Sequence, residues 1–158
     1  MRIFLIFIPF LVSSGVRAEN IAYVGLMKEE INQSGVAEIG VRSNLSENIL
    51  GSFSLMWFGH EDNVYNGANA SLGYTFGSDL RLYVGLGGFV GEYEACSYSS
   101  EINEDVCESD FTGGLYPEAA LQASIYKFRL AAYTRYYRTF DAGNNEYRMF
   151  GLYVGYEL

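Results

Sequence analysis

The chain ends on the segment Tyr147-Arg148-Met149-Phe150-Gly151-Leu152-Tyr153-Val154-Gly155-Tyr156-Glu157-Leu158, in which large apolar residues occupy every second position from Phe150 to Leu158. Successive side chains of a β-strand point to opposite faces, so this segment would have one apolar face and one mixed face. Segments of about ten residues with this alternation, separated by turn residues, are typical of transmembrane β-barrels.

Seven earlier segments alternate in the same way, which predicts eight strands. They lie at residues 20–27, 36–45, 49–58, 65–76, 80–93, 111–126, 128–140 and 147–158. Tight turns are predicted at 46–48, 77–79 and 126–127, and longer polar loops at 28–35, 59–64, 94–110 and 141–146. Pro117 removes a hydrogen-bond donor within the sixth strand, so we expect either a bulge near the rim or a later start of this strand. The alternation of short and long connections predicts an all-β fold, an eight-stranded antiparallel up-and-down barrel.

Alternation alone does not decide which face is inside, because a soluble barrel alternates with its apolar face inward. The mixed face is rich in Gly, Tyr and Arg, which suits a narrow interior filled by small and large groups. Beyond residue 18 the only lysines are Lys28 and Lys127, fewer than a solvated outer face would carry. Aromatic residues also gather at the predicted strand ends, as in membrane–water interfaces. They are Tyr74, Phe76, Tyr126, Phe128 and Tyr156 at the short-turn end, and Trp57 and Phe140 at the other. These features favour the membrane barrel.

Residues 1–18 have the pattern of a secretory signal peptide. Arg2 precedes an apolar run at 3–12, and the small residues that follow place Val16 and Ala18 at the positions read by a signal peptidase. The apolar run is too short for a transmembrane helix, which needs roughly 20 residues. We therefore expect cleavage after Ala18 and a single barrel domain over residues 19–158.

Composition excludes several classes of function. Loss of residues 1–18 would leave 8 basic and 19 acidic residues, a formal charge of −11, which argues against nucleic-acid binding. Cys96 and Cys107 are the only cysteines, and in an exported protein this pair predicts a disulfide. No residue pattern indicates a metal or cofactor site, and no EF-hand spacing occurs.

These features resemble the small eight-stranded outer-membrane barrels of Gram-negative bacteria, the OmpA transmembrane domain and the OmpX/Ail group. The last strand resembles the signal read by the barrel-assembly machinery, although this chain ends on Leu158 where the family usually has Phe. The stretch 57–74 is faintly similar to YfaZ-type proteins. The resemblance implies a porin-like, monomeric cell-surface protein in the outer membrane, in contact with lipid and lipopolysaccharide.

Five charged residues are predicted on the inward face: Glu38, Arg42, Glu118, Arg129 and Arg135. The interior of an eight-stranded barrel is just wide enough for side chains, so these charges are expected to pair. The tight turn at 126–127 fixes which residues of the sixth and seventh strands face each other. Counting outward from this turn places Glu118 opposite Arg135 and Arg129 beside Ser124. One interpretation is an ion-paired plug, and the alternative is a narrow gated channel.

His60 raises the alternative of a lipid-A-modifying acyl hydrolase, because such enzymes on this architecture use a His with a Ser and a carboxylate. Ser52 and Ser54 lie six to eight residues away, roughly 20 Å or more along a strand, which argues against this alternative. Acidic residues are expected to concentrate at the long-loop rim. They are Glu29, Glu30, Glu61, Asp62, Glu92, Glu94, Glu101, Glu104, Asp105, Glu108, Asp110, Asp141 and Glu146. This rim could share the divalent cations of lipopolysaccharide or act as a solvated surface. We therefore expect a structural or surface-interaction protein without enzymatic activity.

Overall fold

The computed structural model describes residues 19–30, 34–60, 63–99, 104–140 and 146–158. The predicted signal peptide lies outside these residues. The strands are β1 (Asn20–Glu29), β2 (Gly35–Asn44), β3 (Ile49–His60), β4 (Asn63–Phe76), β5 (Leu80–Ser99), β6 (Glu104–Ile125), β7 (Phe128–Thr139) and β8 (Glu146–Glu157). Each strand pairs antiparallel with the next, and β8 pairs with β1, which closes the barrel. The predicted fold class is confirmed.

The apolar face of the strands points outward, as the membrane interpretation predicts. Leu26, Leu86 and Leu152 are about as exposed as any aliphatic side chains of the barrel wall, and Leu86 is 70% exposed. The aromatic residues expected at the two ends, among them Phe76, Phe128 and Trp57, are also exposed on the outer surface. An outward apolar band bordered by aromatic residues is characteristic of a barrel surrounded by hydrocarbon. Within the described parts of the chain, no helix is long and apolar enough to cross a membrane.

The tight turns lie where the sequence predicts them, at one end of the barrel. The turn between β4 and β5 begins at Gly77, whose φ is 95°, and a Cβ atom there would lie 2.4 Å from the carbonyl oxygen of Leu80. Glycine is therefore required at this turn. In the turn between β6 and β7, Tyr126 has φ 54°, a conformation that is uncommon for a side-chain-bearing residue.

The prediction of a loop at 94–110 is wrong, because strands β5 and β6 continue through most of this stretch. Their pairing runs without interruption from Leu80 opposite Ala123 to Ser99 opposite Glu104. The polar and acidic composition of this stretch suggested a loop, but two strands that extend beyond the membrane can carry polar side chains on both faces. The result is a two-stranded ribbon that rises above the barrel, hereafter the β5–β6 ribbon.

A disulfide joins the two strands of this ribbon, as the sequence predicts. Cys96 and Cys107 lie directly opposite each other in the ladder, with their Cα atoms 4.0 Å apart. The loop predicted at 59–64 is also shorter than expected, because His60 pairs with Asn63.

The bulge expected at Pro117 is absent. The β6–β7 pairing of Leu115 with Arg138 and of Glu118 with Arg135 keeps one register on both sides of the proline. The ladder instead skips the pairs at Tyr116 and Pro117, which is consistent with a missing donor on the side of β7. The sheet tolerates the lost hydrogen bond without inserting a residue.

We predict that a charge on the apolar band destabilises the barrel in lipid. Leu86→Lys, near the middle of the band, should lower the free energy of unfolding in lipid vesicles by about 2–4 kcal/mol. Asn48→Lys, in a short turn, is the matched control and should change it by less than about 1 kcal/mol. Equal effects of the two substitutions would show that Leu86 does not face hydrocarbon.

We further predict that the disulfide stabilises the ribbon rather than the barrel. The double substitution Cys96→Ser and Cys107→Ser should leave the barrel folded, because the bond lies beyond the last β4–β5 pair at Ala95. Limited proteolysis should then cleave the ribbon faster than in the wild type. Free thiols in the wild-type protein, measured by mass spectrometry without reductant, would contradict this account.

Candidate functional site: the charged interior and the cavity above it

Four charged side chains meet in the middle of the barrel. Glu38 and Arg42 come from β2, Glu118 from β6 and Arg135 from β7, and each residue is at most 2% exposed. All four occupy positions on the inward face of their strands, where the alternation of the sequence directs them. Because two are acidic and two are basic, the cluster has no net formal charge. We refer to these four residues as the ion-pair network.

Arg135 links the two acidic residues of the network. Its Nε donates to Oε2 of Glu118 at 2.7 Å, and its Nη1 and Nη2 donate to the two carboxylate oxygens of Glu38 at 2.8 and 3.1 Å. Arg42 completes the network by donating from Nη2 to Oε1 of Glu118 at 2.5 Å. Each carboxylate therefore has a counter-charge, which buried ions need to offset their lost hydration.

Tyrosine side chains surround these charges. Tyr23 and Tyr133 donate their hydroxyl hydrogens to Glu38 at 2.6 and 3.1 Å. The guanidinium of Arg42 lies 4.6 Å from the ring centroid of Tyr153, and that of Arg135 lies 5.0 Å from the ring of Tyr133. Rings at these distances attract a cation, so they stabilise the two buried arginines.

Glycine positions make room for these large rings. A Cβ atom at Gly87 would lie 2.2 Å from the ring of Tyr116, and one at Gly73 would lie 2.5 Å from the ring of Tyr83. Both glycines face the interior, so the rings pack directly against the backbone of the neighbouring strands. The mixture of Gly and Tyr in the sequence is therefore the way in which this small barrel fills its lumen.

The structure brings together four of the five predicted interior charges. Glu118 lies opposite Arg135 in the β6–β7 ladder, in the register expected from the sequence. Arg42 pairs with Glu118 across the barrel and not with Glu38, the acidic residue on its own strand. The sequence indicates which residues point inward, but the pairing across the lumen depends on how the barrel closes.

Arg129 lies apart from the network, at the short-turn end. It forms ion pairs with Glu19 and Glu157, and Glu19 also lies 3.7 Å from Arg81. Glu19 could not be predicted from the alternation of the sequence, because the residue precedes the first strand. These residues form a second ionic contact that joins the ends of the described barrel to β7.

A cavity of about 280 Å³ lies between the ion-pair network and the long-connection end of the barrel. Aromatic residues provide six of its eleven lining side chains: Phe58, Tyr65, Phe89, Tyr93, Tyr137 and Tyr147. Tyr137 separates the cavity from the network, since its hydroxyl accepts from Arg135 at 3.1 Å and donates to the sulfur of Met56 at 3.6 Å. We refer to this space as the outer cavity. Alternation alone could not predict it, because the space depends on how the rings turn.

The residues considered for hydrolysis do not form a catalytic site among the described side chains. The Oγ atoms of Ser52 and Ser71 are 2.6 Å apart inside the barrel, and Ser54 is buried six residues below His60. His60 lies at the end of β3, and its side chain is outside the described part of the structure. A separation of six residues along a strand is roughly 20 Å, beyond the reach of a general base.

The acidic residues predicted at the long-loop rim or just below it differ in their exposure. Glu29 is fully buried on the inward face of β1, whereas Glu92, Glu94 and Asp110 are exposed near the base of the β5–β6 ribbon. Glu94 comes close to Cys96 and Cys107, but the two sulfur atoms are bonded to each other. This trio is therefore not a metal site.

The chain matches no protein-family model, and no curated protein sequence matches it. Solved structures share its fold. The N-terminal β-barrel domain of Pseudomonas aeruginosa OprF superposes with a TM-score of 0.67 and 16% identity, over 90% of this chain and all of that one. The fold is that of a small outer-membrane β-barrel.

Two further structures agree with this conclusion. Ail, the attachment invasion locus protein of Yersinia pestis, gives a TM-score of 0.58 at 20% identity, over 89% of this chain and 97% of that chain. Neisserial surface protein A gives a TM-score of 0.65 at 11% identity, over 89% of this chain and 96% of that chain. The predicted resemblance to small eight-stranded outer-membrane barrels is confirmed at the level of fold.

We predict that the ion-pair network is a large contributor to stability. Glu118→Gln leaves Arg42 without a carboxylate and removes one partner of Arg135, which should cost about 3–5 kcal/mol of unfolding free energy in detergent. The double variant Arg42→Met and Glu118→Leu removes one positive and one negative charge. It retains the Arg135–Glu38 ion pair, so the charges of the network still balance. It should therefore recover much of the loss.

The matched control is Glu47→Gln, an exposed acidic residue in a short turn, which should change stability by less than about 1 kcal/mol. A double-mutant cycle over Arg42 and Glu118 isolates their coupling. If Glu118→Gln is as stable as the wild type, the ion pairs of Glu118 do not contribute to the stability of the barrel.

Proposed function

We propose that this protein is an integral outer-membrane β-barrel that has no enzymatic activity and acts at the cell surface, in a structural or interaction role. The observation that carries the proposal is the ion-pair network, which fills the middle of the lumen with four buried side chains. A protein with a filled lumen has its loops and strand ends, rather than a pore, available for function.

The outer surface of the barrel supports a location in the outer membrane. Its apolar band and aromatic borders match the requirements of lipid, in which every backbone polar group must be bonded within a helix or a closed barrel. The similarity to OprF, Ail and Neisserial surface protein A supports the same location. Assembly there would require the barrel-assembly machinery, in agreement with the apolar alternation of β8.

The β5–β6 ribbon is the part that we propose to act at the surface. It continues four residues beyond the last β4 pair, roughly 13 Å at about 3.3 Å per residue, and a disulfide crosses it. Exposed Glu92, Glu94, Glu108 and Asp110 give its base an acidic character. We infer that the ribbon faces outward, where it could share the divalent cations of neighbouring lipopolysaccharide.

Neither of the other two functions has a supporting observation among the described residues. A channel would need an open path through the ion-pair network, where Arg135 and Glu38 have completely buried side chains. A lipid-A hydrolase would need a hydroxyl near His60, and the serines of β3 lie far below it. An unchanged lipid A composition in cells that express the protein distinguishes the proposed role from the hydrolase.

We predict opposite accessibility for the two ends of the barrel. Gly59→Cys lies at the long-connection end, where a side chain has open space around it, and Ser78→Cys lies in a short turn. In intact Gram-negative cells, a membrane-impermeant maleimide should label position 59, and should label position 78 only after the outer membrane is permeabilised.

The native disulfide and the cysteine-free background serve as controls for this labelling. The folded protein should also fractionate with the outer membrane and change its gel mobility on heating. Recovery in the soluble periplasmic fraction without detergent, or labelling of position 78 alone in intact cells, would contradict the proposed location.

A further inference from the structure

The chemistry of the outer cavity points to the kind of molecule that it would hold. Six of its eleven lining residues are aromatic, and Asp110 is the one charged residue among the eleven. The faces of aromatic rings carry negative electrostatic potential and attract cations, most strongly where water is excluded. We propose that the outer cavity binds a small organic cation, an ammonium group that carries methyl or other compact apolar substituents.

The arrangement of the rings supports this ligand class. The rings of Tyr65 and Phe89 are 6.3 Å apart and meet at 72°, and those of Phe89 and Tyr137 are 5.1 Å apart and meet at 79°. Nearly perpendicular neighbours form corners, in which a single bound cation can contact more than one ring. Aromatic cages that recognise quaternary ammonium groups use this principle.

Two glycines hold the space open. The hydroxyl oxygen of Tyr65 lies where side chains of Gly67 and Gly91 would otherwise project, 2.1 and 2.6 Å from the positions of their absent Cβ atoms. Tyr65 therefore lies along the barrel wall and does not cross the lumen. The remaining volume of about 280 Å³ is close to the lower end of the range of small-molecule sites, roughly 300–1,000 Å³. It suits a compact ligand.

The charges around the cavity agree with a cation and disfavour an anion. Arg135 lies beneath Tyr137, but its charge is matched by the carboxylates of Glu38 and Glu118. Asp110 lies on the inward face of β6, opposite Tyr93, and it is exposed at the open end of the cavity. A bound cation would thus meet the rings at its apolar groups and a carboxylate towards solvent.

This inference gives the proposed surface-interaction role a ligand class, and it rests on that role only for its biological meaning. The binding test uses the complete purified barrel, whereas the location is tested by labelling in cells. Failure of one can therefore be distinguished from failure of the other.

The experiment compares choline with neohexanol. Neohexanol has the same shape as choline, but a carbon atom replaces the charged nitrogen. Binding to the wild-type barrel is measured by isothermal titration calorimetry in a neutral maltoside detergent, since phosphocholine detergents contain the proposed ligand group. Choline should bind at least about tenfold more tightly than neohexanol.

Three variants test the position of the site. Tyr93→Leu removes a lining ring, Asp110→Asn removes the carboxylate, and each should weaken choline binding about fivefold or more. Glu92→Gln is the matched control, because Glu92 lies next to Tyr93 in β5 but points outward, and it should bind as the wild type does. A retained heat-dependent gel shift shows that each variant is folded.

Several results would overturn the proposal. Equal binding of choline and neohexanol would show that the cavity selects apolar shape and not charge. Equal effects of Asp110→Asn and Glu92→Gln would show a general response to the acidic surface. Undetectable binding of choline to the folded wild-type barrel would exclude the site.

Discussion

The width of the barrel is the constraint on which the rest of the structure depends. Eight strands enclose space for side chains and little more, so a charge that points inward must find its counter-charge inside. Arg135 meets this requirement by joining Glu38 of β2 to Glu118 of β6, and Arg42 balances the second negative charge. Tyrosine rings and inward glycines fill the space around them. The four charges of the network thereby balance one another in the middle of a filled lumen.

This closed centre divides the barrel into two ends with different properties. At the short-turn end, Arg129 is paired with Glu19 and Glu157, and Arg81 is paired with Glu19, so two positive charges balance two negative ones. At the other end, the rings above Tyr137 leave the outer cavity open, and the β5–β6 ribbon extends beyond the barrel wall. The filled lumen therefore forms the floor of the binding site that we propose at the long-connection end.

Much of this architecture can be predicted from the sequence, because a strand has a period of two and a tight turn fixes the register. The Tyr126-Lys127 turn alone places Glu118 opposite Arg135, and alternation identifies Leu86 as outward and Arg42 as inward. Three features could not be predicted in this way. The partner of Arg42 depends on the closure of the barrel. Glu29 is buried although it resembles the solvated acidic residues near it. The polar residues of the ribbon form strands because the disulfide and the β-ladder hold them. None of the three follows from the alternation of a single strand.

Electrical recording of the purified protein in planar lipid bilayers tests most directly whether the ion-pair network closes the lumen. The account predicts no discrete current steps from the wild-type barrel, because side chains of four buried residues occupy its centre. It predicts the same for the double variant Arg42→Met and Glu118→Leu, in which apolar side chains replace one ion pair. Reproducible wild-type conductance that disappears or changes its ion selectivity in this variant would contradict the account, since ions would then pass through the network.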